Sequence, residues 1–197
     1  MSKTKHRRHL GFVTLLVLSI FGLIPHLVFA QDITEGYIYQ LGDHNEANIQ
    51  QAAKGSWALQ SQLGNDNEAY IYQAGEGNFS LQTQIGASNK TYVYLLGDRN
   101  TSLQNQVGDA NTMFIRQWGN NNNFVQTQIG SENLAGAIVR GSGNSVNQNQ
   151  LGNGHRSLIT IAGDNNAVDH LQIGYGIELY LLHLGDDEVI SAVRFGN

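Results

Sequence analysis

Residues 64–86 read GNDNEAYIYQAGEGNFSLQTQIG, and this stretch holds two copies of an 11-residue unit that begins with glycine. Glycine recurs at every eleventh position from Gly42 to Gly196, with Ala53 as the single exception among fifteen positions. A short period without insertions is typical of a stacked repeat architecture, in which each repeat contacts mainly its neighbours. The pattern therefore predicts a repetitive structural protein.

Each unit contains one strand signal and one turn signal. Asparagine stands three residues after most of the glycines and glutamine two residues before them, with β-branched and aromatic residues in between. Segments such as GDHN and GNDN combine glycine, which reaches positive φ without steric cost, with Asn and Asp, which bond their own backbone. The predicted turn glycines are Gly42, Gly64, Gly75, Gly86, Gly97, Gly108, Gly119, Gly130, Gly141, Gly152, Gly163, Gly174 and Gly185.

Two kinds of 11-residue unit alternate, so the full repeat is 22 residues long. One kind is glutamine-rich, as in LQTQIG at 81–86, and the other is aromatic, as in YIYQAG at 70–75. The first repeat is out of phase, because YIYQLG at 37–42 stands where the glutamine-rich kind belongs. The repeats are 34–55, 56–77, 78–99, 100–121, 122–143, 144–165 and 166–187, with a partial repeat at 188–197.

These features predict an all-β fold, a cross-β β-solenoid of about seven strand-turn-strand rungs. A helix is excluded, because a glycine in each unit would cost about 1 kcal/mol relative to alanine. Rungs spaced ~4.8 Å apart would place like residues above like, so their side-chain amides can bond along the axis. The predicted amide ladder, the expected amyloid core, contains Gln40, Asn45, Gln51, Gln62, Asn67, Gln73, Gln84, Asn89, Gln106, Asn111, Gln117, Gln128, Asn133, Gln150 and Gln172.

The sequence leaves open which residues of the glutamine-rich strands face the core. In the aromatic strand after Asn67, Ala69 and Ile71 share one side, and this side suits a thin core. The same parity in the next strand holds Gln82 and Gln84, whereas Leu81 takes the other side. Either the leucines point outward or these strands are reversed. Outward rows of Leu, Ile and Tyr would favour lateral association.

Residues 1–30 have the pattern of a secretory signal peptide. Four basic residues precede an apolar stretch at 10–24, and Val28-Phe29-Ala30 suits cleavage. The apolar stretch is short for a membrane span, although a short anchor is the alternative interpretation. The repeat domain would then be 31–197, and the protein would be secreted.

Charge and composition argue against nucleic acid as a partner. Without the leader, seven Lys and Arg face sixteen Asp and Glu, a net charge of −9. Nucleic-acid-binding surfaces need basic stripes instead. The chain also has no cysteine, so a secreted form must be held by hydrogen bonds and packing rather than by disulfides.

The repeat resembles that of the curlin family, the secreted bacterial subunits of curli amyloid fibres, with the pattern Ser-x5-Gln-x4-Asn-x5-Gln. Ser56, Gln62, Asn67 and Gln73 match it in full. A second set, Asn100, Gln106, Asn111 and Gln117, matches with Asn in place of Ser. Two further repeats match until Leu95 and Val139, which replace the last glutamine.

The resemblance implies a cell-surface fimbrium or matrix fibre that supports adhesion and biofilm. The implied partners are a paralogous curlin subunit, an outer-membrane export pore and its accessory factors. The repeat decays toward the C-terminus, which resembles the minor, nucleating curlin that attaches the fibre to the cell. The major fibre subunit is the alternative. The departures are Ile161, His183 and Arg194 in place of Gln, and His155, Ile177 and Glu188 in place of Asn.

Nothing in the sequence indicates an enzyme, a cofactor site, a metal site or a small-molecule substrate. His170 and His183 lie 13 residues apart and could approach on adjacent rungs, but a substituted ladder position is the preferred interpretation. The acidic turn residues are interpreted as gatekeepers against uncontrolled sheet growth. A polysaccharide-degrading β-helix would carry long loop insertions, which are lacking here. A monomeric β-solenoid adhesin is the remaining alternative.

Overall fold

A computed structural model describes residues 34–196 as a β-solenoid, so the predicted all-β fold is confirmed. The signal peptide predicted at 1–30 lies outside the described residues. Within 34–196, no helix is long and apolar enough to cross a membrane. The strands are β1 Glu35–Leu41, β2 Glu46–Ala52, β3 Trp57–Leu63, β4 Glu68–Ala74, β5 Phe79–Ile85, β6 Lys90–Leu96, β7 Thr101–Val107, β8 Thr112–Trp118, β9 Asn123–Ile129, β10 Leu134–Arg140, β11 Ser145–Asn153, β12 Arg156–Ala162, β13 Ala167–Tyr175, β14 Glu178–Leu184 and β15 Val189–Phe195.

The strands form two parallel sheets, one on each side of the solenoid. The odd sheet contains the eight odd-numbered strands and the even sheet contains the seven even-numbered strands, each in sequence order. Every strand pairs with the strand one full coil away, and partners are 22 residues apart, as for Gln60 with Gln82. The described residues therefore form seven coils plus one additional strand, β15.

Close approach of successive turns explains the glycine period. All thirteen predicted turn glycines have positive φ, from +114° at Gly75 to +153° at Gly185. A Cβ at Gly64 would collide with the carbonyl oxygen of Gly86 in the next coil, and all the other turn glycines except Gly185 would meet the same obstacle. Where Ala53 replaces glycine, the bond from Gly75 N–H to Ala52 O lengthens to 3.5 Å. The equivalent bond from Gly86 to Leu63 is 2.9 Å.

Each turn has a second left-handed position, two residues after the glycine, that the sequence analysis missed. Five of these positions are also glycine, including Gly77 and Gly143. The remaining nine carry side chains despite the steric cost of positive φ, which is about 1–2 kcal/mol for an ordinary residue. They are His44, Asp66, Ser88, Arg99, Ala110, Asn121, Glu132, Asn165 and Asp187.

The core lies between the sheets and differs in character on its two sides. The even sheet contributes mainly apolar side chains such as Ile71, Val93 and Ile115, which are fully buried. The odd sheet contributes amides such as Gln82 and Gln84, which are 1% exposed, whereas Ile85 is 40% exposed. The open question of parity is thereby answered: the glutamines point inward and the aliphatic residues point outward.

Residue volumes are balanced across the core within a coil. Phe124 of β9 is fully buried where equivalent strands carry Ser80 or Ser102. The facing strand β10 carries Ala137 where its neighbours carry Ile115 and Ile159. A large residue in one sheet is thus offset by a small residue in the other, as close packing of the core requires.

Replacement of Ala110 by glycine should stabilise the fold. Ala110 has a φ of +56°, where its Cβ is strained and glycine is not. We expect Ala110→Gly to raise the free energy of unfolding by about 0.5–1 kcal/mol, measured by urea denaturation. The matched control is Ala87→Gly in the turn one coil earlier, at a residue without positive φ, which should be destabilising. Equal losses for both variants would contradict this account of the turn.

Candidate functional site: stacked amide ladders and open sheet edges

A glutamine ladder runs through the odd sheet from β1 to β13 and is called the first glutamine ladder. Each side-chain Nε2 donates to the Oε1 of the glutamine one coil later, over 2.7–3.0 Å. All bonds therefore run in one direction, with donors facing the C-terminal end. The members are Gln40, Gln62, Gln84, Gln106, Gln128, Gln150 and Gln172.

A second glutamine ladder lies beside the first and was not among the predicted ladder residues. Gln60, Gln82, Gln104, Gln126 and Gln148 are joined by side-chain bonds of 2.8–2.9 Å. Their recurrence every 22 residues is plain in the sequence, but only the burial of this face distinguishes a ladder from a solvent-exposed row. The ladder begins after Ile38 of β1 and ends before His170 of β13, since these residues occupy the adjoining positions.

The glutamine amides also join the two sheets. The second N–H of the Gln62 side-chain amide donates to the backbone oxygen of Glu46 over 2.9 Å. The Gln84 amide donates to the backbone oxygen of Glu68 in the same way, over 3.0 Å. These bonds cross from the odd sheet to the even sheet. Burial of a primary amide is costly unless its donors and acceptor find partners, and here both donors are used.

Two asparagine ladders lie at the turns, one at each side of the solenoid. Asn89 Nδ2 donates to the carbonyl oxygen of Gly108 over 2.7 Å, and its Oδ1 accepts from the backbone N–H of Asn111 over 3.1 Å. The asparagine thus binds the carbonyl of the tight glycine turn and the following coil together. The predicted members Asn45, Asn67, Asn89, Asn111 and Asn133 all lie in one ladder.

His155 continues this asparagine ladder where the motif decays. Its backbone N–H donates to Asn133 Oδ1 over 3.0 Å, and its ring Nδ1 accepts from the N–H of Ile177 over 3.3 Å. The ring Nε2 therefore carries the proton and donates to the oxygen of Leu151 over 3.1 Å. Histidine reproduces the acceptor that asparagine supplies elsewhere.

The predicted amide ladder does not extend through the even sheet. Gln51 Nε2 donates to Gln73 Oε1 over 2.9 Å, but Leu95 occupies the next position of this row. Gln117 is consequently isolated between Leu95 and Val139. Its Nε2 turns to the oxygen of Gly119 over 2.8 Å, and its buried Oε1 has no partner within the described residues. Its assignment to a ladder was wrong, because a ladder requires an amide in the adjacent coil.

The residue directly after the turn glycine often binds the preceding coil, in a continuous ladder on one side of the solenoid and in isolated pairs on the other, which the sequence analysis did not identify. Asp109 Oδ1 accepts from the backbone N–H of Ala87, one coil earlier, over 2.8 Å. Asn120 and Asp98 make the same bond, at 2.7 Å. The sequence contains a signal for this interaction, because Asn, Asp or Ser directly follows most of the turn glycines. These acidic turn residues therefore have a structural role beside any effect of their charge.

Substitution in the first glutamine ladder should be far more costly than substitution at Gln117. In Gln106→Leu, the amides of Gln84 and Gln128 lose a partner inside the core, for a cost of about 1–3 kcal/mol per unsatisfied group. Gln117→Leu removes an unsatisfied oxygen beside apolar neighbours and should be neutral or stabilising. Urea denaturation measures both. Equal destabilisation by the two variants would contradict the importance of the ladder bonds.

The two candidate histidines bind serine and asparagine side chains in the described structure. His170 Nδ1 lies 3.1 Å from Ser157 Oγ, and His183 Nε2 lies 3.0 Å from Asn166 Oδ1. Among residues 34–196, no group of three or more His, Asp and Glu side chains is placed to hold a metal ion. Burial lowers the pKa of His170 to about 4, and electrostatic interactions with Arg194 and His155 act in the same direction.

The lowered pKa of His170 predicts a loss of stability in mild acid. Between about pH 4 and the ordinary value near 6.5, the unfolded chain binds a proton that the folded chain does not. The stability contribution is intact above pH 6.5 and decreases as the pH falls toward 4. The variant His170→Gln places in β13 the same residue as Gln148, its partner in the adjacent strand. We expect this variant to lose less of its urea unfolding midpoint between pH 7 and pH 5 than the unsubstituted chain. An unchanged pH profile would show that His170 is not the group responsible.

The sheet edges at both ends of the described solenoid are open. β1 and β2 have neighbours on one side only, as do β14 and β15. Large apolar side chains are exposed at these ends, including Tyr39 (61%), Leu182 (68%) and Phe195 (76%). An unpaired parallel edge presents free backbone donors and acceptors, which another strand can pair with.

The outer face of the odd sheet carries a continuous row of apolar residues, here called the aliphatic row, which starts at Leu41 and ends with the aromatic Phe195. One residue of each odd strand belongs to it, and all are apolar: Leu41, Leu63, Ile85, Val107, Ile129, Leu151, Ile173 and Phe195. This is the outward row whose position the sequence left open.

Comparison with known proteins finds no matching family model, no similar curated protein and no similar solved structure. The resemblance to curlins accordingly rests on the spacing of Ser, Gln, Asn and Gly within the repeats. The β-solenoid itself rests on the strand register described above.

Proposed function

We propose that this chain is a structural subunit of an extracellular curli-type amyloid fibre, of the minor kind that nucleates polymerisation and attaches the fibre to the cell. The observation that carries the proposal is the pair of open sheet edges at the ends of a stack of in-register amide ladders. Such an edge can template an incoming strand by backbone pairing, while the ladder amides select a partner with the same register.

The interior of the solenoid supports assembly rather than catalysis. The inward polar side chains of the odd sheet are mostly glutamines bonded to one another, and this leaves few groups free to act on a substrate. Repetition of one bond in every coil is what a polymer needs, because an added coil then gains the same contacts as an internal one. The partners we propose are copies of this chain, a paralogous curlin subunit and the export pore with its accessory factors.

The minor role is supported by the contrast between the two ends. The N-terminal end keeps ladder amides at Gln40, Asn45 and Gln51, whereas the C-terminal end replaces them by His183, Glu188 and Arg194. The C-terminal strands also expose apolar residues such as Tyr180 and Val189. We propose that the first subunit is held at the cell surface by its C-terminal end and grows from its N-terminal edge.

The test is thioflavin-T fluorescence of two purified forms, the full sequence and a chain that begins at Gln31. Each form is measured alone and as a trace seed for a major curlin. We expect self-assembly, and shortening of the partner's lag phase at low seed ratios. In cells, a chain that ends at Gly174 should still seed but should release fibres into the medium. Fibres that stay attached would contradict the anchoring role, and a stable monomer without seeding would favour the β-solenoid adhesin.

A further inference from the structure

The first strand lies in one sheet but carries the sequence of the other. β1 contains YIYQL at 37–41, which matches YIYQA in β4 and YVYLL in β6, both strands of the even sheet. Yet β1 belongs to the odd sheet and pairs with glutamine-rich β3. The mismatch has a cost, since Ile38 adjoins Gln60, whose buried Oε1 has no partner within the described residues.

The described strands are odd in number, which restricts how two copies can stack end to end. If a second copy is added in the same orientation, its β1 pairs with β15 of the first copy and the odd sheet is continuous. The even sheet then lacks one strand between β14 and the second copy's β2, because it has seven strands against eight. This gap is about 9.6 Å, twice the ordinary strand spacing, and is too wide for backbone hydrogen bonds.

Rotation of the second copy by half a turn about the solenoid axis removes this gap. Its β1 then pairs with β14 and its β2 pairs with β15, so both sheets continue at the ordinary spacing of ~4.8 Å. The two halves of each repeat are both 11 residues long, so this rotation continues the path of the chain from one copy to the next.

We propose that copies of this chain assemble with each copy rotated by about 180° relative to the one before it, so that the odd sheet of one copy continues the even sheet of its neighbour. This inference rests on the proposed fibre-forming function. It accounts for the sequence of β1, because YIYQL then follows the aromatic strands of the preceding copy and lies in line with them.

The exposed outer residues of the two ends match in this arrangement. Continuing the 22-residue register places Tyr37 beside Tyr180, Tyr39 beside Leu182 and Leu41 beside Leu184. All six side chains are at least 40% exposed in the single chain. Within the chain, Tyr72 and Tyr94 already stack in adjacent strands with ring centroids 4.7 Å apart. Apolar side chains exposed at both ends would therefore cover each other.

The polar ladder positions match as well. Glu188 falls beside Asn45 of the next copy, and its carboxylate supplies the acceptor that Asn45 itself offers to the backbone N–H of Asn67 over 3.1 Å. Arg194, which carries donors only, falls beside Gln51. The Nε2 of Gln51 already donates to Gln73, so its Oε1 remains to accept.

Two contacts in this arrangement are unfavourable. Glu35 falls beside Glu178 and Asp43 falls beside Asp186, and like charges in adjacent positions repel each other. All four residues are exposed, so salt screens the repulsion.

Cysteine cross-linking distinguishes the two arrangements, because the chain contains no cysteine of its own. Tyr39→Cys with Leu182→Cys places the two thiols on adjacent strands of rotated copies, within the Cα separation that a disulfide requires. Tyr39→Cys with Val193→Cys is the matched pair for unrotated copies. The three positions are exposed. Within one chain, residues 39 and 182 are separated by about 30 Å along the axis, so a disulfide between them must join two copies.

The experiment uses the full chain, and in parallel the chain from Gln31, assembled from denaturant and oxidised as fibres, with products separated on a non-reducing gel. We expect the Tyr39 and Leu182 pair to give a series of covalent multimers, at roughly tenfold higher yield than the Tyr39 and Val193 pair. The single variant Tyr39→Cys controls for contact between two N-terminal edges and should give no dimer.

Each other outcome overturns a different statement. Multimers from the Tyr39 and Val193 pair, or dimers from Tyr39→Cys alone, would refute the half-turn rotation while leaving fibre formation intact. Fibres without cross-links in either pair would show that the C-terminal edge is covered by something other than this chain's N-terminal edge. The absence of fibres in both forms of the chain would instead contradict the proposed function.

Discussion

The fold depends on one constraint, which is that every coil must present the same residues at the same positions as the coil beside it. A buried glutamine in the odd sheet finds its acceptor only if another glutamine lies one strand spacing away. A shift of register by a single residue would turn the whole set of inward amides to solvent and bring the aliphatic row into the core. Insertions are therefore excluded throughout the described repeats, and the turns must have constant length.

The turns meet this requirement through close contact between successive backbones. At the repeated glycine, the next coil's carbonyl oxygen occupies the space that a Cβ would need, so the side chain is excluded by contact as well as by positive φ. Asparagine then binds that carbonyl from the inside, and the residue after the glycine binds the preceding coil from the outside. These two short polar interactions help to hold the turns in place without help from a loop or a cap.

Departures from the motif are tolerated where the replacement supplies the missing interaction or removes the need for it. His155 keeps the acceptor of the asparagine ladder with its ring nitrogen. One row of the even sheet changes from amides to aliphatic residues at Leu95, Val139 and Ile161. Gln117 is the one amide left within this part of the row, and it has no ladder partner. At the two ends no such compensation exists within a single chain, and the exposed edges are where the proposed assembly with another copy would gain the most.

Much of this architecture was determined by the sequence alone, because local turn chemistry and an unbroken period leave few alternatives. The 11-residue glycine spacing specified the turns, and the alternation of unit types specified the 22-residue coil. The tertiary structure decided what depends on the second sheet. Only the facing strands determine that Gln82 is buried and Ile85 exposed, since both faces of that strand carry residues that pack well. Likewise, the isolation of Gln117 arises from its neighbours in adjacent coils, which no single repeat contains.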